Sequence, residues 1–270
     1  MDDKTINSTI ILIMSHDISV MRMLLLTLAG VAGGFCNTFA AGGSIFQIPA
    51  MVGLGLHPMI ANTTNHVPVL MGFTAAVWRL HRQGAMPWRS GIKISIPMVF
   101  GAVLGALTAS IINDRATGYV LFTALLLALA LMLAKSDRWL GSGELGAEVH
   151  LDPKMLFVSL LIGFWAGLIV IGSGVFLLLA LVLLAGFSIA QANAVKVLSL
   201  GIASLLAVIV FAIRGEIVWS SAIPVSIGSV IGSVIAAKLV MMPNAGKWVY
   251  TLILLALGTE ILHLGSKMLH

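Results

Sequence analysis

The chain has 270 residues, 59% of them hydrophobic and only 9% charged, with a formal net charge of +5. A soluble domain carries roughly a quarter charged residues, so this composition, with its mean hydropathy of +1.08, excludes one and predicts an integral protein of the lipid bilayer. The basic excess fits loops on one side of a membrane rather than a nucleic-acid partner, and the single cysteine, Cys36, excludes an internal disulfide.

A hydrocarbon core about 30 Å thick needs roughly 20 apolar residues per helix. The N-terminal segment, 1–22, has acidic residues at its start and a short apolar patch, with no small-residue cleavage site, so it is not read as a cleavable signal. Eight apolar blocks follow, at 23–56, 59–78, 92–112, 117–134, 155–186, 192–213, 217–237 and 247–264. The alternating pattern of an outer-membrane barrel is absent. The expected fold is an all-α polytopic membrane protein.

The first and fifth blocks are too long for one simple span, and each breaks in its middle. The breaks are "FAAGGSIF" (39–46) and "VIGSGVFL" (170–177). Each block is therefore read as glycine-broken or re-entrant, with helix packing as the other use of those glycines. A broken helix leaves N–H groups unpaired at the start of its second piece, and such groups attract anions. Irregular backbone survives at membrane depth only where protein buries it or where it lines a cavity. Gly42, Gly43 and Ser44 in the first break, and Gly172, Ser173 and Gly174 in the second, are candidate binding residues on this ground.

The two halves match beyond their breaks. "GLGLHPMIANTTNH" (53–66) corresponds to "LLAGFSIAQANAVKV" (183–197), setting Asn62 opposite Asn193 and Asn65 opposite Lys196. "RQGAMPW" (82–88) matches "IRGEIVW" (213–219), and "IPMVFGAVLGA" (96–106) matches "IPVSIGSVIGS" (223–233). The chain thus reads as two homologous repeats of about four transmembrane segments each, over 23–134 and 155–264. A polar linker over 135–154 joins them, and a short tail, 265–270, closes the chain. The Gly-x3-Gly pairs Gly101/Gly105 and Gly228/Gly232 are expected to let neighbouring helices approach closely.

If every block is a single span, most lysines and arginines fall on one side, both termini are cytoplasmic and the halves are parallel. If each broken block crosses twice, the bias weakens and the halves are inverted. Charge asymmetry favours the first arrangement. The basic loop "WRLHRQGAMPWRSGIK" (78–93) reads as a cytoplasmic topology anchor, with recruitment of anionic lipid or substrate as the alternative.

Two polar clusters stand inside this apolar chain. The first, "NTTNHVP" (62–68), supplies Asn62, Thr63, Thr64, Asn65 and His66, a set of hydrogen-bonding groups with one ring that titrates near neutral pH. The second contains Gln191, Asn193 and Lys196. A lysine at a helix centre costs about 2.5–3.5 kcal/mol. An anion ~4 Å away at an effective dielectric near 20 returns about 4 kcal/mol. Three readings of Lys196 stay open: it binds substrate or an ion, it snorkels to the interface, or it pairs with Glu260, the only acidic residue inside an apolar block. His66 either carries a coupled proton or simply bonds a neighbouring helix, and His57, beside Pro58, reads as interfacial.

The segment "AGGSIFQIPAMVGLG" (41–55), the Asn/Thr-rich start of the next helix, the basic loop with its Trp-Arg and the second-half "ANAVKVLSL" (192–200) together resemble the sulfite exporter TauE/SafE family. The resemblance covers roughly 23–264, and it rests on the order of these stretches rather than on one motif. It implies a bacterial inner-membrane transporter of sulfite, sulfonates and related anions, often an exporter, with the two breaks and the polar starts at 62–66 and 191–196 on the substrate path. "NTTNHVPV" is more polar than the run usual in that family, and His66 is an addition.

The resulting expectation is a secondary transporter of a small oxyanion, without a cofactor, whose partners are its anionic substrate and the bilayer; a homo-oligomer is compatible with the sequence. No nucleotide-binding motif is present, so energy comes from an ion gradient, the membrane potential or the substrate gradient. An anion channel would use the same residues. A membrane subunit that acts only with a partner is the other alternative. An enzyme would need a nucleophile–base pair or metal ligands, which His57 and His66 do not supply.

Overall fold

The computed structural model describes residues 3–109, 152–242 and 245–269, with a few positions between 126 and 133. Among the described residues there are nine helices and no strand: α1 (Asp3–Phe39), α2 (Ser44–Gly53), α3 (Pro58–Arg82), α4 (Trp88–Thr108), α5 (Pro153–Leu168), α6 (Ser173–Leu183), α7 (Ile189–Ile213), α8 (Trp219–Leu239) and α9 (Ala245–Leu269). The expected block at 117–134 and the linker fall largely outside the described residues.

Four helical stretches are long and apolar enough to cross a membrane: Ser19–Phe39 of α1, and α4, α7 and α8. α3 has the same 25 residues as α7 but carries the polar run, and all of Asn62 to His66 is buried in protein. The apolar side chains instead point outward. Ile92, Ile96, Phe100 and Leu104 form an exposed stripe on α4, and Ile223, Ile227, Ile231 and Ile235 form one on α8. Spacing of four residues puts each set on one helix face, as a lipid-facing surface requires.

Glycine governs the tightest contacts. On α4, a Cβ at Gly101 or Gly105 would strike the backbone of Leu160 and Phe164 on α5, and one at Gly163 or Gly167 would strike Met98 and Ala102. On α8, Gly228 and Gly232 meet Thr27 and Val31 of α1 in the same way, while Gly30 and Gly34 meet Val225 and Ser229. Each of these two interfaces is therefore backbone against backbone, held by close packing where no hydrophobic effect separates helix from lipid.

Contact order along each pair gives helix direction. Gly30 and Gly34 face Val225 and Ser229, so α1 and α8 run parallel; Gly163 and Gly167 face Met98 and Ala102, so α5 and α4 do too. Ser229 donates to the Pro68 carbonyl at 2.7 Å, and Gly72 lies against Ser233, which aligns α3 with α8. Ser95 meets Ser199 at 3.2 Å while Arg214 donates to the Ala106 carbonyl at 3.2 Å, which aligns α4 with α7. Between α3 and α7 the order reverses. Thr63 bonds Glu216, His66 stacks by Phe211, and Phe73 meets Gly201.

So α1, α3 and α8 point one way and α4, α5 and α7 the other. Since α1 and α3 agree in direction, the chain between them must double back, and α2 does this. Its ten residues reach only about 15 Å, half a bilayer. Gly43 and Gln47 return along α1 onto Gly33. α6 plays the same part between α5 and α7. One crossing per apolar block would make α3 and α7 parallel; in the structure they run antiparallel.

Candidate functional site

Both breaks turn on one glycine. Gly42 has φ 85° and Gly172 has φ 79°, a left-handed conformation that a residue with a Cβ adopts only with strain. Immediately after each, a short helix begins, at Ser44 and at Ser173. The first N–H groups of a helix have no intrahelical acceptor, and together they carry part of a positive charge. The two starts open on one cavity between α3 and α7. Gly42 and Ser44 line it from the first break, and Gly172, Ser173 and Gly174 from the second. Its volume is about 10 Å³, roughly the space of one water. Val69, Phe73, Leu200 and Ser204 form walls, and Asn37 reaches it from α1.

The opposite ends of the broken helices are tied by the other half. Asn193 donates to the Phe39 carbonyl at 3.1 Å, at the end of α1. Asn62 donates to the Leu168 carbonyl at 3.2 Å, at the end of α5, and its Oδ1 accepts from the Val170 N–H at 3.2 Å. The two asparagines do the same work on opposite breaks. Each satisfies backbone groups that hydrocarbon would leave stranded.

Lys196 is 0% exposed, which overturns snorkelling. Its Nζ donates to the Ala40 carbonyl at 2.5 Å and to Asn193 Oδ1 at 2.7 Å, with the Thr38 carbonyl at 3.4 Å. The Lys196 amine thus donates into the carbonyl-rich end of α1, whose last carbonyls have no intrahelical partner. Its stem passes beside Gly174, so the amine stands just behind the cavity wall. The side chain of Glu260 lies outside the described residues, and so does the question of a pair with it.

The remaining candidates separate. Asn65 donates to Ser44 Oγ at 3.0 Å and so belongs to the cavity's edge; Gly43 packs on α1 and donates its N–H to Asn37 Oδ1 at 2.8 Å. Thr63 donates to the Glu216 carbonyl at 2.6 Å, and Thr64 Oγ1 accepts from the Val218 N–H at 3.1 Å; both tie α3 to the turn after α7. His66 is buried with its ring 5.2 Å from that of Phe211, and neither nitrogen has a partner among the described residues. Gln191 joins Ser188 in capping α7: its N–H donates to Ser188 Oγ at 3.3 Å and its Oε1 accepts from the same hydroxyl at 3.2 Å. Among the described residues no group of three or more His, Cys, Asp or Glu is placed to hold a metal ion.

Sequence reasoning missed Asn37, Phe73, Leu200 and Ser204 in the cavity wall, and Gln47. Gln47 is fully buried, and neither amide atom has a partner among the described residues. A lone amide one turn from a glycine break was a readable signal for Asn37 and Gln47. Phe73 and Leu200 carry none, being apolar residues among many.

These features define a multi-pass helical membrane protein with a small, partly polar cavity between two broken segments. The chain matches the family described as sulfite exporter TauE/SafE over residues 26–261, and it belongs to that family. It is 29% identical to the "Probable membrane transporter protein ORF9" of Sinorhizobium sp over 85% of this chain and 87% of that one. It is also 29% identical to a "Probable membrane transporter protein" of Haemophilus influenzae over 83% and 88%. With the "Probable membrane transporter protein YfcA" of Escherichia coli K12 the identity is 25% over 83% and 82%. Family and relatives together set the class, a membrane transporter. No solved structure matches the chain.

Proposed function

We propose that the protein is a secondary transporter of a small sulfur-containing or organic oxyanion, such as sulfite or a sulfonate, exporting it across a bacterial inner membrane by alternating access. The observation that carries this reading is the meeting of two helix starts, with Ser44 and Ser173, on one cavity between the halves. Neutral donors with a cation close behind suit an oxyanion. Lys196 supplies that charge. Asn62 and Asn193 hold the broken ends, and the polar runs 62–66 and 191–196 border the path.

The chain is read as two inverted repeats. Support comes from the reciprocal packing of α1 on α8 and α5 on α4 through matching glycines, and from the matching work of Asn62 and Asn193. Two bundles follow, α1/α3/α8 and α4/α5/α7, each mixing both repeats and each locked by close packing. They meet along α3 and α7, and Asn62, Asn193 and Lys196 reach across from those helices to the broken ends of α5 and α1. Rocking at that contact would open the cavity to one side at a time.

The test is flux into proteoliposomes of sulfite, sulfate, sulfoacetate and taurine, measured in parallel. Saturable movement of one anion supports the carrier. Flux that rises without saturation replaces it with a channel, and no flux of any of the four refutes the reading.

A further inference from the structure

Asn37 belongs to the last turn of α1, ahead of the first break, and lines the cavity. Its amide is oriented by a single contact: Oδ1 accepts the Gly43 N–H at 2.8 Å. Gly43 can offer that atom only a donor, so the amide oxygen is fixed on the Gly43 N–H and the NH2 group is the end left for another acceptor. That Nδ2 is buried and has no partner among the described residues. The neighbourhood is built for this pose. A Cβ on Gly43 would overlap the Gly33 carbonyl and crowd the Asn37 side chain, so only glycine lets the two residues approach.

The second half does not repeat the device. Gly34 and Gly167 pack on α8 and α4 alike, and three residues beyond them stand Asn37 and Val170, both on the cavity. One repeat thus presents a held donor where the other presents an apolar side chain. Asn37 is also spared the tasks that occupy Asn62, Asn193 and Lys196, whose polar atoms are spent on the ends of the broken helices.

We propose that Asn37 is a substrate-binding residue that sets specificity: its Nδ2 donates to an oxygen of the transported oxyanion, beside the starts of α2 and α6. This rests on the transport reading above. A donor with no acceptor of its own selects for ligands rich in acceptor oxygens and against cations.

Asn37→Asp separates this role from a structural one. The new carboxylate still accepts the Gly43 N–H, so the break is kept, while the donor becomes a repelling acceptor. The experiment compares sulfite flux and sulfite-induced thermal shift in wild type, Asn37→Asp and Asn37→Ser. The expected result is an apparent KM raised about tenfold or more in both variants, with the Tm of the unliganded protein unchanged in Asn37→Asp. If Asn37→Asp does not assemble, Asn37→Ser is judged by the same KM criterion. A wild-type KM in the assembled variant overturns the inference. A wild type that moves no oxyanion overturns the transport reading and this inference with it.

Discussion

The Lys196 ammonium and the Ala40 carbonyl lie 2.5 Å apart, although 156 residues separate them in the chain. The contact joins the third helix of one half to the break of the other, and Asn193 extends it to Phe39 at 3.1 Å. The buried lysine thereby caps the end of α1, and the proposed function gives it a second role as a local charge. Both roles can be tested.

Lys196→Gln keeps a neutral donor near α1 but removes the charge. Loss of a charge-assisted hydrogen bond costs about 1.5–3 kcal/mol. Flux of the transported anion is expected to fall at least tenfold, with a lower Tm in detergent. Unchanged flux with a lowered Tm would leave Lys196 only the capping role.

The glycine-packed interfaces should respond equally. Gly101→Ala and Gly228→Ala each drive a methyl into the backbone of a parallel neighbour, α5 in one case and α1 in the other. Overpacking of this kind costs about 1–3 kcal/mol. Gly53→Ala, with nothing within 4 Å of the added methyl, serves as the control and is expected to leave Tm unmoved.

Gly42→Ala and Gly172→Ala force a Cβ into left-handed backbone, at φ 85° and 79°. The strain is about 1–2 kcal/mol at each site. Because the distortion is next to the cavity, transport should suffer more than folding. Initial rates of flux should drop severalfold in variants that still elute as folded protein. Two variants with wild-type rates would place the breaks outside the transport path.

Because α3 and α7 run antiparallel, Gln83, just after α3, and Glu216, just after α7, lie at opposite ends of that helix pair. In a Cys36→Ser background, a thiol introduced by Gln83→Cys and one introduced by Glu216→Cys are expected to label from opposite faces with an impermeant reagent. Labelling of both from one face would restore parallel halves.

Much of this site was legible before the structure. The breaks at 42–44 and 172–174 stood out because glycine and serine interrupt long apolar runs, and Asn62 and Asn193 stood out because the halves align. Thr63, Thr64 and Gln191 looked equally promising, yet their bonds go to a turn and to a helix cap. A polar residue in an apolar helix advertises that it needs a partner, and nothing in its neighbours says which. Asn37 was passed over for the converse reason: its meaning lies in an N–H six residues on, across a reversal that only the folded chain makes.

By itself the sequence determined that this chain lives in a membrane, where its helices are interrupted and which polar residues must be buried, because a hydrocarbon solvent tolerates few departures from apolar helix and makes each one visible. The tertiary structure alone decided that α2 and α6 double back, that α3 and α7 run antiparallel, and that Lys196 ends on the carbonyls of α1. Those outcomes depend on which helix backbones approach closely enough to pack, a property of surfaces brought together from distant parts of the chain.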